Sequence, residues 1–247
     1  MPRLVSFRPA TACALALLLL FSATATAARP RAELRVIGKG GKVLHEGSFG
    51  LGGKASVRTS RKATCFGAGS GGSGKKATLK AATALGILMR GAQLTSALRP
   101  LLISDHFSFG LALCGVGGSV AKGTSSWYLK VNHRAPSVGG ELVKLGGGDE
   151  VLWDLAPSYP YPDELALQAP DRVRAGRSFG VRVFAYDEKG KRTPAAGVTV
   201  TGASGPTDSS GRARVTLSRP ARLIARHGGD IPSNREPVCV GGRCPRK

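Results

Sequence analysis

Acidic side chains are scarce in this 247-residue chain: 15 Asp and Glu stand against 36 Lys and Arg, for a formal net charge of +21. Aromatic residues make up only 6%. No basic helix, zinc-finger spacing or RNP-like aromatic pattern accompanies the charge, so specific nucleic-acid binding is not expected. The four histidines are scattered and CVGGRC near the end has no second close cysteine pair, so no metal site is expected either. Long hydrophobic runs are missing too. The most apolar stretch, Ala12–Phe21, falls short of the about 20 residues a membrane-spanning helix needs.

That same stretch has a different use. Arg3 and Arg8 precede it, and Ala25-Thr26-Ala27 follows it with the small-residue spacing of a cleavage site. This is the pattern of a secretory signal peptide over residues 1–27, which implies a secreted or cell-envelope location. Cys13 would leave with it. Cys65, Cys114, Cys239 and Cys244 would remain, an even number in an exported chain, with three connectivities open. Pairing Cys65 with Cys114 and Cys239 with Cys244 is preferred, because each bridge then stays inside one proposed domain. The excess charge divides evenly, +11 over 28–160 and +8 over 161–247. A basic exported protein adheres to polyanions, which makes anionic envelope polymer the expected partner.

Along the chain, Glu33–Ile37 and Val43–Glu46 alternate around a Gly/Lys turn and predict a hairpin. Leu79, Ala82, Leu85, Gly86 and Met89 predict a helix beginning after Lys75, with Gly91 as its stop. Strands are expected at 106–113, 127–132, 141–145 and 151–155. One helix laid over a mixed sheet would bury these apolar faces. Pro157, Pro160 and Pro162 mark a stiff linker over 157–162. Beyond it, short alternating segments such as Phe179–Tyr186 and Ala213–Leu217 predict an all-β sandwich over 163–238, with a Cys-containing basic tail at 239–247. The expected class is mainly β: an α+β domain over 28–156, then an all-β one.

No catalytic constellation emerges. Gly69–Lys76 approaches a phosphate-binding loop, but Lys76 stands where Ser or Thr should hold magnesium. Ser104-Asp105-His106 has triad residue types, yet triad partners converge from separate elements. Asp149 and Glu150 are neighbours in a turn and would point apart. No enzyme activity and no cofactor are expected.

Trp127-Tyr128-Leu129-Lys130-Val131-Asn132, then Gly139-Gly140, then Gly148-Asp149-Glu150-Val151-Leu152-Trp153, resembles the transcobalamin-like C-terminal domain family over about residues 33–156. The resemblance implies a β-grasp fold, a sheet crossed by one helix. It also implies a ligand face around Trp127, Tyr128 and Trp153. His133 stands where the family usually has glycine. The C-terminal part, with Ala196–Val200 and Thr207–Ala213, resembles bacterial immunoglobulin-like or carboxypeptidase-regulatory-like modules. The leading expectation is a secreted, non-enzymatic binding or cell-envelope surface-interaction protein; the alternatives are a small-molecule, corrinoid-like carrier and, last, an enzyme of unknown type.

Overall fold

The computed structural model describes residues 29–246. The proposed signal peptide, with Cys13, lies outside the described residues. The fold is mainly β, with one α-helix among the described residues. Strands β1 (Arg31–Gly38) and β2 (Lys42–Gly50) form the predicted hairpin. β3 (Lys54–Arg58) and β4 (Lys76–Lys80) make a separate antiparallel ribbon. Helix α1 (Ala84–Leu94) follows, then an antiparallel meander of β5 (Leu101–Phe107), β6 (Gly110–Val116) and β7 (Ser119–Val120). β8 (Ser126–Val131) and β9 (Glu150–Ala156) return to the first sheet, whose order is β2-β1-β9-β8. β1 and β9 run parallel at its centre, and the outer pairs are antiparallel.

Strand alternation gives this sheet two buried faces. Ala32, Leu34, Val36, Val151 and Trp153 pack with Leu85, Leu88 and Met89 of α1. Burying each such large side chain stabilises the fold by about 1.5–3 kcal/mol. Thr83 caps the helix, its hydroxyl accepting from the Gly86 amide at 3.1 Å. Gly91 lies inside the helix rather than ending it. A Cβ there would come within 3.1 Å of Leu34 and Phe49, so its missing side chain sets how closely α1 approaches the sheet.

Lys76–Lys80 is strand, not the helix start the spacing predicts. Its K-A-T-L-K pattern also alternates, and pairing with Lys54–Arg58 selects that reading. The 106–113 segment turns at Ser108-Phe109 between β5 and β6. The 141–145 segment holds only a single bridge, from Lys144 to Thr83.

After the proline-rich segment come β10 (Glu164–Gln168), β11 (Arg172–Val173), β12 (Ser178–Tyr186), β13 (Arg192–Pro194), β14 (Thr199–Val200), β15 (Arg212–Thr216), β16 (Ala221–Leu223), β17 (Ala225–Arg226) and β18 (Glu236–Val240). β12 pairs with β10, β13 and β15; β18 pairs with β11 and β16. Leu165, Leu167, Val183, Val215, Leu223 and Val238 are buried together. β18 carries the chain through Cys239 to Val240, so both residues belong to a strand and not to a tail. The bridges are Cys65–Cys114 and Cys239–Cys244, the preferred pairing.

The second face of the first sheet is covered by the second half of the chain. Ile37, Tyr128, Leu152 and Ala156 meet Ile231, with Tyr161 packed alongside. The same face carries Arg35, Lys130 and Asp154, and these charges make the junction unusual.

Candidate functional site

Glu164 opens β10 and is 2% exposed. The Arg35 guanidinium on β1 donates to its Oε1 and, at 2.9 Å, to the Pro232 carbonyl. Lys130 on β8 is fully buried. Its Nζ donates to the Tyr186 and Asp187 carbonyls at 2.7 and 2.9 Å and lies 3.9 Å from Glu164 Oε2. Burial pushes the Glu164 carboxyl upward, but contact with His133 and the charges of Arg35 and Lys130 outweigh it and hold the carboxyl below its ordinary range. Burial is also the main reason that the Lys130 ammonium is held down, with Glu164 opposing.

His133 occupies a backbone conformation that glycine usually takes. The β8–β9 turn holds Asn132 and His133 at φ of 50° and 66°, the left-handed region glycine occupies freely. A histidine there costs about 1–2 kcal/mol in strain. In return its ring stacks on Tyr186 at 3.9 Å, and Nδ1 lies 3.1 Å from Glu164 Oε2. The turn thus reaches across to the second half.

Four of the 36 basic side chains stand together on the β3–β4 ribbon. Lys54 lies directly opposite Lys80, and Arg58 opposite Lys76. All four are exposed, with Ser56 and Thr78 hydrogen-bonded at 2.8 Å between them. The alternate residues Ala55, Val57 and Leu79 pack inward. None of the four cations has a carboxylate within 4 Å among the described residues. Like charges directly opposite each other on a sheet are destabilising. The shared pattern of K-A-S-V-R and K-A-T-L-K was the available sequence signal for this site.

The aromatic candidates separate. Trp153 is 5% exposed and its indole donates to the Ala84 carbonyl at 3.1 Å, so it is core that fixes the start of α1. Tyr128 is on the opposite face of β8, stacked on Tyr161 at 4.0 Å, and burial raises its hydroxyl well above the ordinary range. Trp127 borders a hollow of about 390 Å³, and its buried indole nitrogen has no partner. Phe66 and Phe109, 61% and 67% exposed, stand at the edge of that hollow. Sequence reading missed both: Phe66 lies in a turn without periodic neighbours, and the alternation of Phe107, Phe109 and Leu111 hid the turn at Phe109 inside an expected strand.

The remaining motifs are structural. The glycine segment before Lys76 leads into a strand, and a Cβ at Gly71 would meet the Arg61 carbonyl at 2.3 Å. Asp105 accepts from the Ser73 amide and hydroxyl, which lower its carboxyl to about 2. Ser104 is buried, donates to the Ser70 carbonyl and accepts from the His106 backbone amide at 3.2 Å, so its hydroxyl is not paired with the imidazole. Asp149 accepts from Asn132 and the Gly146 amide, closing a turn. Among the described residues, no group of three or more His, Cys, Asp or Glu is placed to hold a metal ion. No helix of the described residues is long and apolar enough to cross a membrane. No protein-family model matches the chain, and neither a curated protein nor a solved structure matches it.

Proposed function

We propose that this is an exported, non-enzymatic binding protein that docks on anionic cell-envelope polymer through the β3–β4 ribbon. One observation carries the reading: two like-charge pairs, Lys54–Lys80 and Arg58–Lys76, are held face to face on an exposed surface. A row of phosphates or carboxylates supplies the counter-charge that the fold withholds. Two disulfides and the N-terminal leader pattern support export. On this reading the first half is a transcobalamin-like β-grasp unit. The β2-β1-β9-β8 order, with a parallel central pair and one helix, supports that assignment. The second half is a small immunoglobulin-like sandwich that spaces the ribbon from its neighbours.

The test is a fourfold variant, Lys54→Gln, Arg58→Gln, Lys76→Gln and Lys80→Gln, binding to poly(glycerol phosphate). Affinity is expected to fall about tenfold or more, while the variant melts at the same or a higher temperature. Neutralising the exposed Arg172, Arg174, Arg177 and Arg219 instead should cost far less. Equal losses from both sets would transfer the binding to diffuse surface charge and remove the ribbon's role.

A small-molecule carrier, corrinoid-like on the family resemblance, is the second reading. The hollow beside Trp127, with its unpartnered indole N–H and its Phe66 and Phe109 edge, favours it. A complex formed there rests on apolar contact and survives high salt, unlike the ribbon's.

A further inference from the structure

Asp154 is a buried carboxyl on the inner sheet face, with no Arg, Lys or His nitrogen within 4 Å among the described residues. It leaves β9 toward the second half, is 5% exposed, and accepts no hydrogen bond from a described residue. The charged groups facing it are Arg35 from β1, Lys130 from β8 and Glu164 from β10. Arg35 is committed to Glu164 and Pro232, and Lys130 to the Tyr186 and Asp187 carbonyls. Burial raises the Asp154 carboxyl to about 7; Arg35 and Lys130 oppose the rise and Glu164 adds to it.

This carboxyl borders a cavity of about 830 Å³ between the two halves. The β1–β2 turn, the segment before β8 and the loop after β17 enclose it. Lys39, Lys122 and Arg226 stand around it, all exposed and without a carboxylate within 4 Å among the described residues. Arg226 donates to the Gly41 carbonyl at 3.0 Å, which holds its guanidinium at the wall. His227 and Asp230 are also in the wall, 2.8 Å apart, and satisfy each other. The volume is that of a small-molecule site. Its charge is divided by depth, with a buried carboxyl lacking a donor and exposed cations lacking an acid.

We propose that this cavity binds a small zwitterion, whose alkylammonium meets Asp154 and whose carboxylate or phosphate meets Lys39, Lys122 and Arg226. A simple anion gives Asp154 no donor and brings a like charge into the cavity that Asp154 lines. A simple cation finds Asp154 but is repelled by three positive side chains. Only a ligand of both signs answers both. The site is separate from the β3–β4 ribbon and does not rest on the polymer reading. Binding depends on the ionised carboxylate, so it tightens as pH rises through about 7. An alkylammonium keeps its charge to about pH 10.

The experiment is calorimetric titration of the full, disulfide-bonded chain with three probes: ε-aminocaproate, its N-acetyl derivative and its amide. ε-Aminocaproate is expected to bind about tenfold or more tightly at about pH 8.5 than at about pH 5.5. The N-acetyl derivative, which lacks the cation, and the amide, which lacks the anion, should each bind about tenfold or more weakly. Asp154→Asn should abolish the pH dependence and leave the polymer affinity of the ribbon unchanged. Equal binding of the N-acetyl derivative, pH-independent binding, or no saturable binding of ε-aminocaproate would each overturn the proposal. The probe comparison on the unmodified protein decides the matter even if Asp154→Asn does not fold.

Discussion

Glu164→Leu should lower the melting temperature by about 6–20 °C, the largest loss expected from a single side chain. Glu164 is the acid that Arg35, Lys130 and His133 share at the junction, and His133 also lies 3.8 Å from Glu150. Removing it leaves Arg35 and Lys130 buried without their counter-charge. Breaking a buried pair from one side costs about 3–5 kcal/mol. Arg35 keeps the Pro232 carbonyl and Lys130 keeps two carbonyls, so the loss is bounded. The pH dependence has a defined sign. The Glu164 carboxyl is held below its ordinary range when folded, so its contribution is full above the unfolded value near 4.3. It is lost as pH falls below that value, because the unfolded chain then binds the extra proton. Melting curves of the variant and the parent should therefore converge on acidification. Curves that stay equally separated at all pH values would mean that Glu164 acts by packing alone.

Removing the Cys65–Cys114 bridge by a Cys65→Ala, Cys114→Ala double variant should cost about 4 kcal/mol, or about 8–16 °C. The bridge spans 49 positions and ties the glycine-rich segment after β3 to buried Cys114 on β6. Cys239–Cys244 spans only 5 positions and closes a loop worth about 2 kcal/mol on the same chain-entropy argument. Thermal melts of the two double variants compare them directly. Equal losses would show that loop length does not govern these bridges.

Elements whose partners are close in sequence, or whose alternation is strong, were legible without the structure. The β1–β2 hairpin has its turn beside it, and β8 and β9 alternate cleanly. The cysteine pairing was legible for a similar reason, since each bridge stays within one half. The ribbon was not. Residues 59–75 separate β3 from β4, and Leu79 happens to fall in helical phase with Ala82 and Leu85. Periodicity then favoured one long helix until strand pairing overrode it. The buried cluster was hidden by distance, since Glu164 lies 129 positions from Arg35. His133 stood out as a bulky residue in a turn, but what holds it there is Glu164 and Tyr186 in the other half. Tyr128 is different. It adjoins Trp127 on one strand, and adjacent strand residues face opposite ways, so elementary alternation already argued against a shared ligand face.

The uncompensated basic ribbon is proposed to bind anionic polymer. The measurement that tests it most directly is the affinity of the disulfide-bonded protein for poly(glycerol phosphate) as sodium chloride rises, with neutral dextran as the control. Exposed cations act over a Debye length of about 10 Å at 0.1 M salt, so their contribution must shrink as the salt increases. The prediction is tight binding at low salt, a steady fall with ionic strength, no binding to dextran, and loss of the salt dependence in the fourfold ribbon variant. Binding that ignores salt, or that is equally strong to dextran, would contradict it.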